Sequence, residues 1–439
     1  MTVGWTAPMI PYLISEESHI KTTKYEAEWL ESALLLGAFC GLPTTIFFTE
    51  KIGRKRSLLL ASFVVLFAWI AIALGDRMIY IFVARFFCGV AGNMAFVAAP
   101  MYVAEIADQK IRGFLSSIIY LMMLLGCLIV YCVGPFLPFY VSPLIGGSFA
   151  ATELVVFSFM PESPYYLLYK NKPAQAKKSL EYFRCNVDVE KEMKEISDAI
   201  NRQKTEKGRI QDLFLINSNR KALLIMMGLY IGQNFCGITI VMMNLHLILI
   251  EAGSIYMEES MAGILFAVIM LVTASGASLQ LDKYGRKLLL VTSAILTAIC
   301  LFIIAIYFNL KYAGYDILSI SWIPIVIVMI YAATFKMGLG LVPIVIAAEV
   351  FPAKMKAIGM TLSDAMYVIW GFVSLQVYQW LANYGLHIPF YLFSACSLLL
   401  VLFTAFYIPE TKGKTLEEIQ FILKGHKSSD INSIQHYNT

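Results

Sequence analysis

Two short charged cassettes hold the residue types that point most directly to chemistry. They read TEKIGRK and, 232 residues further on, LDKYGRK. Each combines an acid, a glycine and the two cations that directly follow the glycine: Glu50, Gly53, Arg54 and Lys55, then Asp282, Gly285, Arg286 and Lys287. Glycine permits a tight turn, and fixed cations that face acids at neighbouring helix ends can form charge-assisted hydrogen bonds. Because such bonds must break when the helix ends separate, the cassettes indicate a gate.

Further charges recur in the same order after each cassette. PESP at 161–164 closes the first half of the chain, and PETKG at 409–413 closes the second. The predicted gating network comprises Arg54, Glu105, Arg112 and Glu162 in the first half and Asp282, Arg286, Glu349, Lys356 and Glu410 in the second. The alternative is that these loop charges only fix the topology and stay solvated.

The elements that must position these charges are membrane helices. Hydrophobic residues make up 59% of the 439 residues and charged ones 15%, with a mean hydropathy of +0.70, against roughly 45–50% and 25% in soluble domains. The apolar runs are continuous and helix-length, whereas barrel strands would alternate. The run 79–106 exceeds the roughly 20 residues that span a bilayer, and Gly89, Ala91 and Gly92 give it a small face for close packing. We therefore predict an all-α membrane protein.

The apolar runs divide the chain into two sets of six. The first run, 1–14, reaches only about 21 Å, so we expect a truncated first helix. The other predicted spans are 27–49, 57–75, 79–106, 113–134 and 141–160, then 222–247, 259–281, 288–308, 322–348, 360–384 and 388–408. The predicted domains are an N-terminal bundle at 1–160, a helical linker at 161–221, a C-terminal bundle at 222–408 and a tail at 409–439.

The basic residues predict the orientation of the chain. Of the 34 lysines and arginines, 28 lie in segments on one side of the predicted spans, including the linker and the tail. By the positive-inside rule that side is cytoplasmic, and we expect a multi-pass protein of the plasma membrane. The distribution of charge is topological and argues against nucleic acid as a partner. No metal spacing or Walker motif is present, which predicts no metal, no cofactor and no enzyme activity.

Two six-helix halves with the same loop chemistry indicate a transporter built from parallel repeats. The residues GRK, PMYVAEIA with RG, PESP, GQNFCG, DKYGRK, EVFP and PETKG resemble the sugar porter family of the major facilitator superfamily, and GWTAP looks most like its insect trehalose-transporter-like branch. The resemblance implies the major facilitator fold, with two six-helix bundles related by a pseudo-two-fold. It also implies a facilitative carrier that moves a sugar of the trehalose or hexose class through the lipid bilayer by alternating access.

The resemblance also implies a substrate site near the midplane. The family's sugar-hydroxyl positions align with Gln233, Asn234 and Thr239, and Tyr120 stands where sugar carriers often have glutamine. Gln233 and Asn244 are 11 residues apart, close to three helical turns, so we expect them to share one face of the seventh helix. The alternative is that Gln233 and Asn234 only join helix to helix.

Lys336 is the last candidate, in the predicted tenth helix. It lies 13 residues before Glu349, about 20 Å along the helix, where the family tends to have an acid. It could attract an anionic group, or it could extend to the outer surface. Two alternative functions therefore stay open: a carrier of a non-sugar solute such as an organic anion, and a non-transporting or truncated member that acts as a sensor.

Overall fold

A computed structural model describes residues 1–107, 112–184, 189–205, 210–352, 355–412 and 416–424. Within these residues the regular structure is helical and no strand occurs. The chain forms two compact units. Unit 1 contains residues 1–206 and 242–247, and unit 2 contains 207–241 and 248–439. The segment 242–247 therefore belongs to unit 1, although the residues on both sides of it belong to unit 2.

The helices up to residue 206 lie in unit 1. They are α1 (Thr6–Ile14), α2 (Lys24–Lys51), α3 (Arg54–Leu74), α4 (Met78–Ile106), α5 (Arg112–Val133), α6 (Val141–Ser158), α7 (Pro164–Tyr169), α8 (Pro173–Phe183) and α9 (Val189–Thr205). Of these, α7, α8 and α9 fall within the predicted linker.

The later helices are α10 (Ile210–Leu215), α11 (Asn217–Phe235), α12 (Ile238–Ala252), α13 (Glu259–Tyr284), α14 (Arg286–Tyr312), α15 (Ile323–Met337), α16 (Val342–Val350), α17 (Lys356–Ala382), α18 (His387–Tyr407) and α19 (Leu416–Leu423). A short 3-10 turn, Leu318–Ile320, precedes α15. Among the described residues ten helical segments are long and apolar enough to cross a membrane. The predicted all-α membrane fold is confirmed.

Glycine fixes the closest helix pair of unit 1. A Cβ added to Gly37 of α2 would lie 2.0 Å from the carbonyl oxygen of Phe86, and one added to Gly89 of α4 would lie 2.0 Å from that of Leu34. Any side chain at either position would therefore force α2 and α4 apart. The predicted packing role of Gly89 is confirmed, because close backbone approach is what lets helices associate in lipid.

The seventh and tenth spans are broken, unlike the continuous helices predicted at 222–247 and 322–348. Gly237, with φ of +81°, separates α11 from α12, and such a backbone conformation suits glycine. Residues 338–341 separate α15 from α16. Breaks at membrane depth need partners for the freed backbone groups. The Tyr331 hydroxyl donates to the Cys236 carbonyl at 2.8 Å, and the Ser293 hydroxyl accepts from the Leu339 N–H at 3.0 Å.

Candidate functional site

The first cassette forms an ion pair at the start of α3. The Arg54 guanidinium binds the Glu105 carboxylate at the end of α4, with Nη2 to Oε1 at 2.9 Å and Nε to Oε1 at 3.1 Å. The other oxygen of Glu105 accepts a hydrogen bond from the Ser163 hydroxyl. Both charged side chains are mostly buried, at 17% and 15% exposure. The pair therefore joins α3, α4 and the PESP segment in one contact.

Glu162 caps α3 from outside the helix. Its Oε1 accepts the backbone N–H of Lys55 at 3.0 Å and that of Ser163 at 2.9 Å. The first N–H groups of a helix have no partner within the helix, and its dipole favours a negative charge there. Gly53 makes this contact possible, because a Cβ at that position would lie 2.4 Å from Oε2 of Glu162.

The second cassette repeats this geometry within unit 2. Nη2 of Arg286 binds Oε1 of Glu349 at 3.0 Å. The Glu410 carboxylate accepts the backbone N–H of Arg286 at 3.0 Å and that of Lys287 at 3.1 Å. Gly285 precedes α14 with φ of +86°, as Gly53 precedes α3 with φ of +102°. The sequence-predicted duplication is thus also a duplication of the arginine–glutamate pair and of the carboxylate cap on the helix start.

Glu410 is held as a carboxylate by this arrangement. Burial alone would raise the pKa of its carboxyl, but the backbone N–H donors around it outweigh burial and hold the pKa below the usual range. Hydrogen bonds to the charged form have this effect. The cap at the start of α14 is therefore ionic at neutral pH.

The residue that follows the capping glutamate differs between the two cassettes. Ser163 follows Glu162 in the first and donates to Glu105, whereas Thr411 follows Glu410 in the second. Among the described residues, the buried Thr411 hydroxyl and Oε2 of Glu349 have no hydrogen-bond partner. The second ion pair thus lacks the extra hydroxyl donor of the first. The side chains of Arg112, Asp282 and Lys356 lie outside the described part of the chain, and their predicted gating role stays a prediction.

The substrate-binding candidates of the seventh span lie at its break. Gln233 is buried, and its amide nitrogen donates at 2.9 Å to the Leu339 carbonyl within the break of the tenth span. Asn234 is fully buried, and its amide nitrogen donates to the Tyr230 and Tyr367 carbonyls. Neither Oε1 of Gln233 nor Oδ1 of Asn234 has a partner among the described residues. Each amide therefore combines a helix-joining donor with a free, buried acceptor.

The other substrate-binding candidates are Thr239 and Asn244 of α12 and Tyr120 of α5. Asn244 is buried in the segment that belongs to unit 1, while Gln233 belongs to unit 2. The prediction that the two share one face of a continuous helix is wrong, because the break at Gly237 interrupts the helical spacing. Thr239, in the first turn of α12, and Tyr120 of α5 are half-buried.

Lys336 lies inside unit 2 rather than on its surface. Its side chain is 3% exposed, and its ammonium group lies 5.7 Å from the centre of the Phe335 ring. This burial removes the alternative in which Lys336 extends to the outer surface. The residue occupies the last turn of α15, where the helix dipole favours a cation.

Sequence reasoning missed the buried carboxylate of unit 1, Glu31, which lies in a cluster with Arg85. Glu31 of α2 and Arg85 of α4 are both fully buried, and Nδ2 of Asn244 donates to Oε2 of Glu31 at 2.9 Å. The Arg85 guanidinium lies 5.4 Å from the centre of the Trp5 ring. His246, two residues after Asn244, is also buried. The available signal was the carboxylate itself, because Glu31 falls inside the predicted span 27–49 and ionisable residues there are costly.

Comparisons with known proteins agree with this architecture. The model of the family described as "Sugar (and other) transporter" matches residues 1–423. The facilitated trehalose transporters Tret1 of Bombyx mori and Polypedilum vanderplanki are 26% and 28% identical, over 96% and 97% of this chain and 83% and 86% of their own lengths. Tret1 of Drosophila virilis is 28% identical over 92% of this chain, which spans only 44% of that relative's length.

Solved structures match over nearly the whole chain. The inward-open xylose transporter XylE of E. coli aligns with a TM-score of 0.78 and 21% identity, covering 96% of both chains. A POT family transporter in complex with 5-aminolevulinic acid aligns with a TM-score of 0.69 and 14% identity, covering 93% of both chains. At these identities the matches establish the shared fold, which is that of major facilitator transporters, as the sequence predicted.

Proposed function

Because this chain belongs to the Sugar (and other) transporter family, we propose that it is a facilitative carrier that moves a sugar across a membrane by alternating access. The match of the family model over residues 1–423 carries this proposal. That family consists of transporters and not of enzymes. The relatives named as facilitated trehalose transporters favour a sugar of the trehalose or hexose class, and the neighbour XylE, named for xylose, also carries a sugar.

The duplicated cassettes act as the gate. Each holds an arginine–glutamate ion pair at about 3 Å together with a carboxylate cap on a helix start. The helix ends cannot separate within a unit unless these bonds break, and each hydrogen bond to a charged group contributes about 1.5–3 kcal/mol. A free-energy difference of that size changes a conformational equilibrium by more than tenfold. The network can therefore control opening without contacting the substrate.

Gln233 and Asn234 bind the sugar. Their buried oxygens Oε1 and Oδ1 are acceptors without partners among the described residues, and an unsatisfied buried acceptor costs about 1–3 kcal/mol. A sugar hydroxyl is a donor that would remove this cost. Both side chains lie at a helix break, where transporters of related architecture place their substrate contacts.

The basic segments orient the carrier. We place the linker 161–221 and the tail 409–439 in the cytoplasm and the two bundles, 1–160 and 222–408, in the plasma membrane, following the bias of lysine and arginine. Protease accessibility of the linker in sealed right-side-out and inside-out vesicles tests the orientation. Cleavage in right-side-out vesicles would reverse it.

Counterflow in proteoliposomes tests the transport function. Vesicles loaded with unlabelled trehalose, glucose or xylose should take up the same labelled sugar transiently above its outside concentration, and empty vesicles should only equilibrate. Arg286→Ala protein, reconstituted to the same density, serves as the control for carrier-mediated flux. Lack of counterflow with every sugar, from protein that unfolds cooperatively on heating, would contradict the proposal.

A second candidate function is transport of an organic anion, and the burial of Lys336 favours it. A cation enclosed at 3% exposure attracts a carboxylate more strongly than a solvated one does. The same vesicles, loaded with a monocarboxylate, provide the test. Counterflow of the carboxylate without counterflow of any sugar would favour this function over the first.

A further inference from the structure

Glu31 is a carboxylate enclosed in unit 1. It is 0% exposed, and it lies in the first half of α2, a helix that qualifies as a membrane span. Its Oε2 accepts one hydrogen bond, from Nδ2 of Asn244 at 2.9 Å. Its Oε1 is buried and has no hydrogen-bond partner among the described residues. An ionised carboxylate held this way keeps a charge out of water with one donor, which is unfavourable.

The nearest cation does not complete the site. Arg85 of α4 is fully buried and interacts electrostatically with Glu31. Its Nη1 donates to the Thr2 carbonyl, while Nε and Nη2 have no hydrogen-bond partner among the described residues. The guanidinium faces the Trp5 ring at 5.4 Å. Glu31 and Arg85 thus interact electrostatically, but they do not form a hydrogen-bonded pair that would stabilise the ionised form of Glu31.

The remaining titratable groups around Glu31 come from four helices, α2, α4, α5 and α12. Glu28 precedes it by one turn of α2 and raises the cost of a second negative charge. The Tyr131 hydroxyl of α5 interacts with Glu31 but donates to the Met242 carbonyl at 2.6 Å. His246 stacks edge-on against the Tyr131 ring at 5.4 Å. Cys88 of α4 lies beside Arg85. None of them donates a hydrogen bond to Oε1 of Glu31.

The surrounding backbone leaves little room to relieve this arrangement. Gly37, a little under two turns after Glu31, packs against the Phe86 carbonyl, and Gly89 packs against the Leu34 carbonyl. The backbones of α2 and α4 are therefore closely packed within two turns of Glu31 and beside Arg85. The partner that can be withdrawn is Asn244, which arrives on the segment 242–247, five residues after the break at Gly237.

We propose that Glu31 is a proton-binding site, and that binding of a proton stabilises the conformation described here. The proposal rests on the carrier function above, because it assigns a second ligand to the same transport cycle. The proton comes from water and adds to Oε1, so the charge is removed. Oε2 remains able to accept the hydrogen bond from Asn244. Loss of the proton leaves a buried charge, which favours a conformation where Glu31 meets water or Arg85 directly.

This assignment predicts the direction of the pH effect. A carrier must leave every conformation in turn, so a proton that stabilises one of them slows the cycle. Sugar exchange with the same pH on both sides should therefore slow as the pH falls from about 8 to about 5, by about fivefold or more. Glu31→Gln mimics the protonated acid, and its exchange should be slow and independent of pH. Glu31→Asp keeps a titrating carboxylate and should keep the pH dependence.

Matched variants separate Glu31 from its neighbours. Glu28→Gln makes the same chemical change one turn away on the same helix and should keep the pH profile, as should His246→Gln. A pH profile that survives Glu31→Gln, or that disappears in His246→Gln, overturns the proposal. Accumulation of sugar driven by an imposed pH gradient, and lost in Glu31→Gln, would support proton binding at Glu31 while contradicting the facilitative mode.

A measurement without transport distinguishes failure of this proposal from failure of the carrier function. Difference infrared spectra of the purified protein, recorded between the same pH limits, should contain the band of a protonated carboxyl group. Glu31→Gln should lack one component of that band, and Glu28→Gln should retain that component. If no sugar is transported but the band behaves this way, the proton site stands and the substrate assignment fails. If Glu31→Gln retains the full band, the proton site fails.

Discussion

Replacement of Gly53 by alanine should destabilise the first cassette strongly. The backbone at Gly53 has φ of +102° and ψ of 171°, a region open almost only to glycine, and holding another residue there costs about 1–3 kcal/mol. The added Cβ would lie 2.4 Å from Oε2 of Glu162 and 2.8 Å from the Tyr166 ring, so the carboxylate must move. That carboxylate accepts the N–H groups of Lys55 and Ser163. Losing one of these charged hydrogen bonds costs a further 1.5–3 kcal/mol or so.

The two contributions sum to about 2.5–6 kcal/mol. Thermal unfolding of the purified protein in detergent should therefore occur at a clearly lower temperature for Gly53→Ala than for the wild type. Gly92→Ala is the matched control, because Gly92 lies in α4 and an added Cβ there would have no atom within 4 Å. That variant should match or slightly exceed the wild type, since alanine favours helix over glycine by about 1 kcal/mol.

Gly285→Ala, the equivalent change in the second cassette, allows the two losses of stability to be compared. Its φ of +86° imposes similar backbone strain, but the nearest oxygen of Glu410 is 2.9 Å from the added Cβ and needs a smaller displacement. We expect the same sign and a smaller loss. If Gly53→Ala unfolds at the wild-type temperature, or if Gly92→Ala is as damaging as Gly53→Ala, then the glycine–carboxylate contact does not stabilise the cassette.

Three further predictions address transport. Arg286→Ala removes the 3.0 Å bond to Glu349, which contributes about 1.5–3 kcal/mol, and should reduce uptake roughly 10- to 150-fold while surface biotinylation stays normal. Adding Glu349→Ala to this variant should reduce uptake only a little further. Uptake at the wild-type rate would contradict the gate. Gln233→Leu should weaken the apparent affinity for sugar by about 1–3 kcal/mol, measured as half-saturation of uptake; an unchanged half-saturation with a reduced yield of folded protein would assign Gln233 to helix packing. Lys336→Gln should leave uptake of neutral sugar within a few-fold of the wild type and reduce uptake of a carboxylate about tenfold, which corresponds to about 1.4 kcal/mol. Loss of neutral-sugar uptake by correctly inserted protein would instead show that Lys336 is needed for the conformational change of the carrier.

The cassettes could be predicted from the sequence because their contacts follow from short-range geometry and topology. An acid, a turn glycine and two cations at each helix junction are visible as a repeated motif. Because α3 and α4 are consecutive membrane helices, the start of α3 and the end of α4 lie on the same side of the membrane, which brings Arg54 close to Glu105. The membrane spans could also be predicted from the sequence, because hydropathy identifies them. The start of α4 was placed within one residue of the observed Met78.

The breaks and the buried cluster could not be predicted in the same way. Gly237 lies in an apolar run whose periodicity continues through it, and only tertiary contacts such as that of Tyr331 with the Cys236 carbonyl stabilise the break. The pairing of Glu31 with Asn244 joins residues 213 positions apart. No spacing rule relates them. The sequence does show a carboxylate inside a predicted span, and the free-energy cost of such a group indicates a functional residue. It does not show which residue is the partner.

The sequence separation between Glu31 and Asn244 also sets a timetable for biosynthesis. A ribosome that adds about 5–20 residues per second makes the 213 residues between them in roughly 10–40 s. α4 is completed during that interval, but the nascent unit 1 still lacks the segment 242–247. Until the amide of Asn244 is available, the Glu31 side chain has to remain in water or in the translocon, or be protonated. Completion of the first unit therefore requires synthesis of the first part of the second, residues 207–241, before the segment 242–247 is made.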